Sequence, residues 1–213
     1  MQEYYRARAR EYEQIYHRDD PVRQGEQAAI AEAMKETFRD RRVLEGACGT
    51  GFWTEVAAEA AQHVVAVDIA PEMLDIARAK GLSPDKVEFR AGDAYALESV
   101  AGTFDAGLAN FWFSHIPKAR IVEFLDGFHE RIGKGALVFM ADNVYVPGVG
   151  GELVTRSGSE DTFKRRTLSD GSRHEVLKNY YDVDQLRRTL SSHATDLHIH
   201  VGRCFWWVRY RIV

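Results

Sequence analysis

The chain has 213 residues, a formal net charge of −4, and is 45% hydrophobic and 28% charged. That length holds one domain with a full core, and the acidic balance argues against a broad basic surface for nucleic acid. No apolar run is long enough to cross a bilayer, the N-terminal MQEYYRARAR lacks an apolar signal core, and Cys48 and Cys204 fit reduced thiols, so a cytoplasmic protein is expected, monomeric or homodimeric and with no membrane partner.

Residues 2–16 read as a helix with Tyr5, Tyr12 and Tyr16 on one face, packed over the domain by those rings. Asp20 before Pro21 starts a second amphipathic helix carrying Ala28, Ile30, Ala33, Met34 and Phe38. Val43 and Leu44 then run into Glu45-Gly46-Ala47 as a short buried strand, Cys48-Gly49-Thr50-Gly51 makes a turn, and a helix opens at Phe52. A strand, a glycine turn and a helix N-terminus leave free N–H groups at the carboxyl edge of a sheet. A phosphate loop would demand a lysine where Phe52 stands, and a dinucleotide fingerprint would need a third glycine where Thr54 stands.

The segment from Glu45 to Gly51 instead resembles the acidic-x-G-x-G-x-G signature of class I S-adenosylmethionine-dependent methyltransferases, with Ala47 in place of the usual first glycine. The resemblance implies a donor site that takes in Glu45, Ala47, Gly49, Gly51 and Trp53, and a lid made by the N-terminal helix, which would bring Tyr5 and Tyr16 to the acceptor. His63 to Asp68 is a second buried strand, and Asp68 lies 17 positions past Gly51, near the distance at which a carboxylate reaches a ribose diol. A helix cap at the same residue is compatible with that role. In the run D-I-A-P-E-M-L-D-I-A-R the resemblance places Ile69 and Met73 against the adenine; periodicity alone puts Met73 in the core. Val87 to Arg90 is a third strand, and Asp93 and Ala94 match the family's adenine-edge position, with an ordinary turn aspartate as the alternative.

Residues 103–110 read as a fourth strand running into Phe111-Trp112-Phe113-Ser114-His115, the expected reaction edge. Asn110 would face the sulfonium, Trp112 and Phe113 would meet a small, partly apolar acceptor, and His115 is the one titratable candidate for a general base, with a cap on the next helix or packing under the loop as the alternatives. A helix over 119–132 and a strand over 136–141 continue the alternation. Pro147 to Gly151 is a flexible loop, and the segments 163–168 and 173–178 flank a hairpin turn; Arg165, Arg166 and His174 are candidates for an acidic substrate or for a paired surface. A helix over 183–190 precedes strands at 197–201 and 203–212. His198, His200 and Cys204 lack a fourth ligand at suitable spacing, so no metal is expected.

The expected architecture is α/β, a Rossmann-like doubly wound seven-stranded sheet with an antiparallel C-terminal strand, an N-terminal helical lid (1–40), a donor-binding half (41–143), an inserted loop and hairpin (144–182) and a C-terminal helix and hairpin (183–213). The expected cofactor is S-adenosylmethionine, with S-adenosylhomocysteine as product and a small molecule as acceptor. A nucleic-acid methyltransferase, a non-catalytic donor-binding module and a nicotinamide oxidoreductase are the rival readings.

Overall fold

The computed structural model describes residue 13 and residues 15–168 and 171–213. The helix expected over 2–16, with Tyr5 and Tyr12, therefore falls almost wholly outside the described residues. Helix α1 (Pro21–Phe38) starts where Asp20 accepts from the N–H groups of Val22 and Arg23, both at 3.1 Å, with Pro21 in the first turn. Ile30, Met34 and Phe38, one helical turn apart in sequence, form its buried stripe.

Most of the apolar runs become parallel strands buried on both faces. Strands β1 (Arg42–Gly46), β2 (His63–Asp68), β3 (Val87–Ala91), β4 (Ala106–Leu108) and β5 (Leu137–Asn143) alternate with helices α2 (Phe52–Ala58), α3 (Pro71–Ala79) and α4 (Ile121–Ile132). The inserted segment holds β6 (Glu152–Thr155), β7 (Thr162–Thr167) and β8 (Arg173–Leu177); helix α5 (Val183–Leu190) then leads to β9 (Ala194–Val201) and β10 (Phe205–Ile212). The main sheet has seven strands in the order β3-β2-β1-β4-β5-β10-β9, with β10 antiparallel to β5. This is the methyltransferase Rossmann-like architecture expected from the sequence. Strand order reverses at β1, which has β2 on one side and β4 on the other, so the crevice opens at the carboxyl ends of β1 and β4.

Helices α1 and α2 cover one face around Phe38, Val43, Trp53 and Phe139; α4 and α5 cover the other around Leu44, Phe124, Phe128 and Trp206. Helix α4 sits so close to β4 that a methyl group added at Gly107 would collide with Ile132 and Phe128. Overpacking of this kind costs about 1–3 kcal/mol, which explains why the centre of the sheet lacks a side chain there.

Two expectations need correction. The fourth strand is shorter than residues 103–110, because Phe111 takes φ +57° and turns the chain out of the sheet, its N–H donating to the Ala141 carbonyl at 2.7 Å. The insertion is a three-stranded antiparallel sheet rather than a hairpin. Glu152–Thr155 pairs with β7 from Glu152 opposite Arg165 to Thr155 opposite Thr162. Four residues beside a glycine-rich loop show too little alternation to announce a strand.

Candidate active site

The turn between β1 and α2 forms the floor. Gly49 takes φ +57° with open space where a Cβ would point, whereas a Cβ at Gly51 (φ +75°) would lie 3.0 Å from Ala77 and 3.2 Å from Phe89. Gly49 thus leaves room above the loop, and Gly51 lets the loop lie down on α3 and β3. Ala47 adopts the same left-handed conformation, φ +57°, without being glycine, a strain of about 1–2 kcal/mol. Under the turn, Glu45 is 2% exposed and accepts a hydrogen bond from the Thr54 hydroxyl at 2.6 Å. Burial, reinforced by the charge of Asp68, pushes the Glu45 carboxyl up to about 8, so it is mostly protonated at neutral pH. Thr54, at the place of a dinucleotide fingerprint's third glycine, fills that space with its side chain.

Asp68 ends β2 with both carboxylate oxygens pointed at backbone. Oδ2 accepts from the Gly49 N–H and Oδ1 from the Ala70 N–H, each at 2.8 Å. Burial raises its pKa, and the hydrogen bonds from Ala70, Gly49 and Ile69 counter that in part. Asp93, past the end of β3, bends the chain through a 3.0 Å bond from the Tyr95 N–H to its Oδ1.

These groups surround a cavity of about 220 Å³, lined by Ala47, Gly49, Asp68, Ile69, Met73, Asp93, Ala94, Trp112 and His115 among the expected residues. Phe111, from the expected reaction edge, also lines it, as do Ala70, Tyr95 and Arg120, which were not anticipated. The Asp93 turn delivers Tyr95, and the Arg120 guanidinium lies over the Tyr95 ring at 3.8 Å. An aspartate two residues before a tyrosine was the available signal for Tyr95; none marked Arg120.

Other expected residues stand back from the cavity. Glu45 and Gly51 lie beneath it as described. Trp53 stacks on Phe111 at 5.6 Å and meets Tyr16 edge-on at 5.9 Å; Tyr16 itself stacks on Phe52 at 4.0 Å. Asn110 is buried and turns its amide away, towards the Met34 sulfur at 3.4 Å. Phe113, on a short 3₁₀ turn, points into the core against Tyr181 and Trp206 at 5.1 and 5.9 Å. One residue of offset on that turn separates it from Trp112, which does line the cavity.

His115 is buried, with Nδ1 2.7 Å from the Leu177 carbonyl oxygen. A carbonyl only accepts, so Nδ1 carries the proton in that bond. Burial, aided by the Lys178 and Arg166 charges, pulls the imidazole down to about 3. Behind it, the Lys178 ammonium donates to Asp142 Oδ1 at 2.8 Å and to the Ser114 hydroxyl at 2.6 Å, while the Ser114 N–H donates to Asp142 Oδ2 at 2.9 Å. Lys178 and Asp142 are 3% and 0% exposed, so this ion pair is dry and fixes the turn that carries His115. Phe111 and His115 also line a second cavity of about 70 Å³, walled by residues before α1, the loop after β5 and the inserted sheet. Those two side chains are common to the linings of both cavities.

Comparison with known proteins gives a consistent picture. Residues 43–135 match the family described as "Methyltransferase domain". The chain superposes on DhpI in complex with SAH with a TM-score of 0.78 and 27% identity, over 99% of this chain and 94% of that one. The DhpI–SAM–HEP complex gives 0.77 at 27% identity, over 97% and 94%. These likenesses support a class I S-adenosylmethionine-dependent methyltransferase in fold and cofactor. An uncharacterised protein of Mycobacterium tuberculosis is 29% identical over 84% of this chain and 66% of its own length. The ubiquinone biosynthesis O-methyltransferase of Bordetella avium is 37% identical over 38% of this chain and 34% of its own. The chain thus aligns with about two thirds of the first relative and one third of the second.

The cavity suits the cofactor on its own chemistry. Tyr95 and Trp112 line it, with Tyr95 Oη and Trp112 Nε1 buried without a hydrogen-bond partner, and Asp68, Asp93, Met73 and Ile69 line it too. Among the described residues no cluster of His, Cys, Asp or Glu could hold a metal ion, and no helix is long and apolar enough to cross a membrane.

Proposed function

We propose that this chain transfers the methyl group of S-adenosylmethionine to a small molecule seated in the second cavity. One observation carries the reading: the cavity at the reversal of strand order shares two of its lining residues, Phe111 and His115, with a smaller one. The smaller cavity admits a compact group and not a polymer strand. The name of the Bordetella relative, an O-methyltransferase of ubiquinone biosynthesis, points the same way.

Asp68 holds the ribose, with the lone pairs left over from its two backbone bonds. Ile69 and Met73 take the faces of the adenine, Asp93 and the Ala94 N–H take its edge, and Ala47 and Gly49 admit the methionine portion. When bound, S-adenosylmethionine supplies a methyl on a sulfonium: the acceptor's lone pair bonds to that carbon while the C–S electrons stay on sulfur, leaving a neutral thioether. The protein's contribution is alignment and exclusion of water. Phe111 and Trp112, rather than Asn110, offer ring faces to the positive sulfur. Phe111 is held in place by its left-handed backbone, a conformation that a bulky residue keeps only where the surroundings impose it.

His115 works as a wall and not as a base. A group with a pKa near 3 stays neutral at pH 7 but is far too weak to collect a proton there. The acceptor must lose its proton to solvent or arrive ionised.

The test is calorimetry with S-adenosylhomocysteine and NAD⁺ in parallel, followed by an assay of S-adenosylhomocysteine release with small acceptors. Binding of the first ligand only, and release with a small acceptor, is the expected result. Heat with NAD⁺ alone, or release only with RNA or DNA, refutes the reading.

A further inference from the structure

One wall of the donor cavity is not accounted for by the glycine-turn signature. Arg120 lines it, from the 3₁₀ turn Lys118–Arg120 that leads into α4. The turn is pinned at both ends: the Arg120 N–H donates to the Pro117 carbonyl at 2.8 Å, and the Lys118 N–H donates to Asp161 Oδ1 at 2.9 Å. Two contacts then hold the side chain. Glu123, one helical turn along, accepts from Arg120 Nε at 2.7 Å and from Nη2 at 2.6 Å, and the guanidinium carbon lies 3.8 Å from the centre of the Tyr95 ring. Tyr95 is braced edge-on by Trp112 and Phe124, with ring centroids 5.9 and 6.1 Å away.

Stability does not explain this fixation. The side chains of Arg120 and Glu123 are 46% and 54% exposed, and an exposed pair at that spacing contributes little to folding. What the arrangement does is immobilise a long cation at the edge of a ligand cavity, stacked on a ring in the way guanidinium groups favour. The fork of Nε and Nη2 is spent on Glu123, while Nη1 makes no hydrogen bond among the described residues. The Arg120 pKa is raised, first by the Glu123 hydrogen bond and also by the charge of Asp93, so the guanidinium and the Asp93 carboxylate are neighbours.

Adenine carries its polar edge atoms in a fixed order: N1, an acceptor; the 6-amino group, a donor; then N7, an acceptor. In the function proposed above, on which this inference rests, the Asp93 carboxylate accepts from the amino group and the Ala94 N–H donates to N1. The atom left over is N7, on the other side of the amino group, and the group beside Asp93 with a donor to spare is Arg120. We infer that Arg120 is a specificity-determining residue for the methyl donor, hydrogen bonding from Nη1 to adenine N7 while Tyr95 and Glu123 hold its guanidinium in place. The amino group and N7, which a single Asn or Gln side chain can read together, are here divided between a carboxylate and a guanidinium. Lysine could not replace it, because a lone ammonium has no second edge to present once Glu123 has taken the first.

The experiment measures, by calorimetry, the affinity of wild type and Arg120→Met for S-adenosylhomocysteine and for its 7-deaza analogue, in which a C–H replaces N7. Wild type is expected to bind the analogue about tenfold more weakly, the scale of one charge-assisted hydrogen bond. Arg120→Met is expected to bind S-adenosylhomocysteine about tenfold more weakly than wild type does, and to treat the two ligands alike. A brace for the cavity wall would weaken both ligands by the same factor in the variant and leave their ratio untouched, and that outcome overturns the inference. So does a wild type that binds both ligands equally, or a variant that keeps the full preference, since N7 is then unread or read by another group. Should Arg120→Met fold poorly, Arg120→Lys takes its place, with the same loss of preference expected and the same refutation if the preference stays. Failure of the wild type to bind S-adenosylhomocysteine sinks the underlying function instead.

Discussion

Asp68→Asn separates two jobs that one carboxylate is proposed to perform. In the ligand-free protein its oxygens accept from Gly49 and Ala70, each at 2.8 Å. A carboxylate offers about four acceptor positions, so about two remain for the ribose hydroxyls. Asparagine keeps one oxygen and replaces the other with an NH₂ that faces an N–H donor. One backbone bond is lost and a donor is left unsatisfied, a cost of about 1–3 kcal/mol to the stability of the empty protein. The sugar loses a charge-assisted bond worth roughly 1.5–3 kcal/mol, which weakens S-adenosylhomocysteine about 10- to 100-fold. Urea unfolding without ligand measures the first effect. Calorimetry at a temperature where both proteins are folded measures the second. A variant that is less stable yet binds S-adenosylhomocysteine within about twofold of wild type would show that Asp68 merely staples the loop, and would refute the ribose contact.

Two further perturbations test the surroundings of the site. Glu45 has a folded-state pKa of about 8, above the ordinary carboxylate value of 4.5. The folded form therefore keeps a proton that the unfolded chain releases, and stability falls as pH rises from about 4.5 to 8, by up to about 1.4 kcal/mol per pH unit. Glu45→Gln keeps an acceptor for Thr54 and removes that slope. Urea midpoints of wild type and variant at several pH values give the difference curve, and a flat one denies the shifted carboxyl. Lys178→Met strands the Asp142 charge in a dry site and should cost about 3–5 kcal/mol by urea unfolding, while Lys178→Met with Asp142→Leu recovers most of it. A single variant as stable as wild type would mean that water reaches Asp142.

What could be read from the sequence follows from how local each signal is. The strands around His63–Asp68 and Leu137–Asn143 announce themselves as apolar runs, and residues at their carboxyl ends reach a parallel sheet's crevice whatever the side-chain packing. Hence Asp68, Asp93 and Gly49, all at or just past strand ends, line one cavity. Which way a side chain turns on an irregular segment is another matter. From Asn110 to His115 the chain passes through a left-handed residue and a 3₁₀ turn, so neighbours diverge: Phe111 and Trp112 to the cavity, Asn110 to Met34, Phe113 to the core. Buried charge stays hidden for a related reason. A lysine in a sequence reads as solvated, yet Lys164 is 1% exposed because two loop carbonyls wrap its ammonium, and Lys178 is 3% exposed because Asp142, 36 residues away in the chain, meets it across the fold. Such partners are supplied by tertiary structure alone. The same holds for the second cavity, whose arginines come from the segment before α1, from α1 itself and from the inserted sheet. No window of sequence contains all three, and only folding shows that they surround one space.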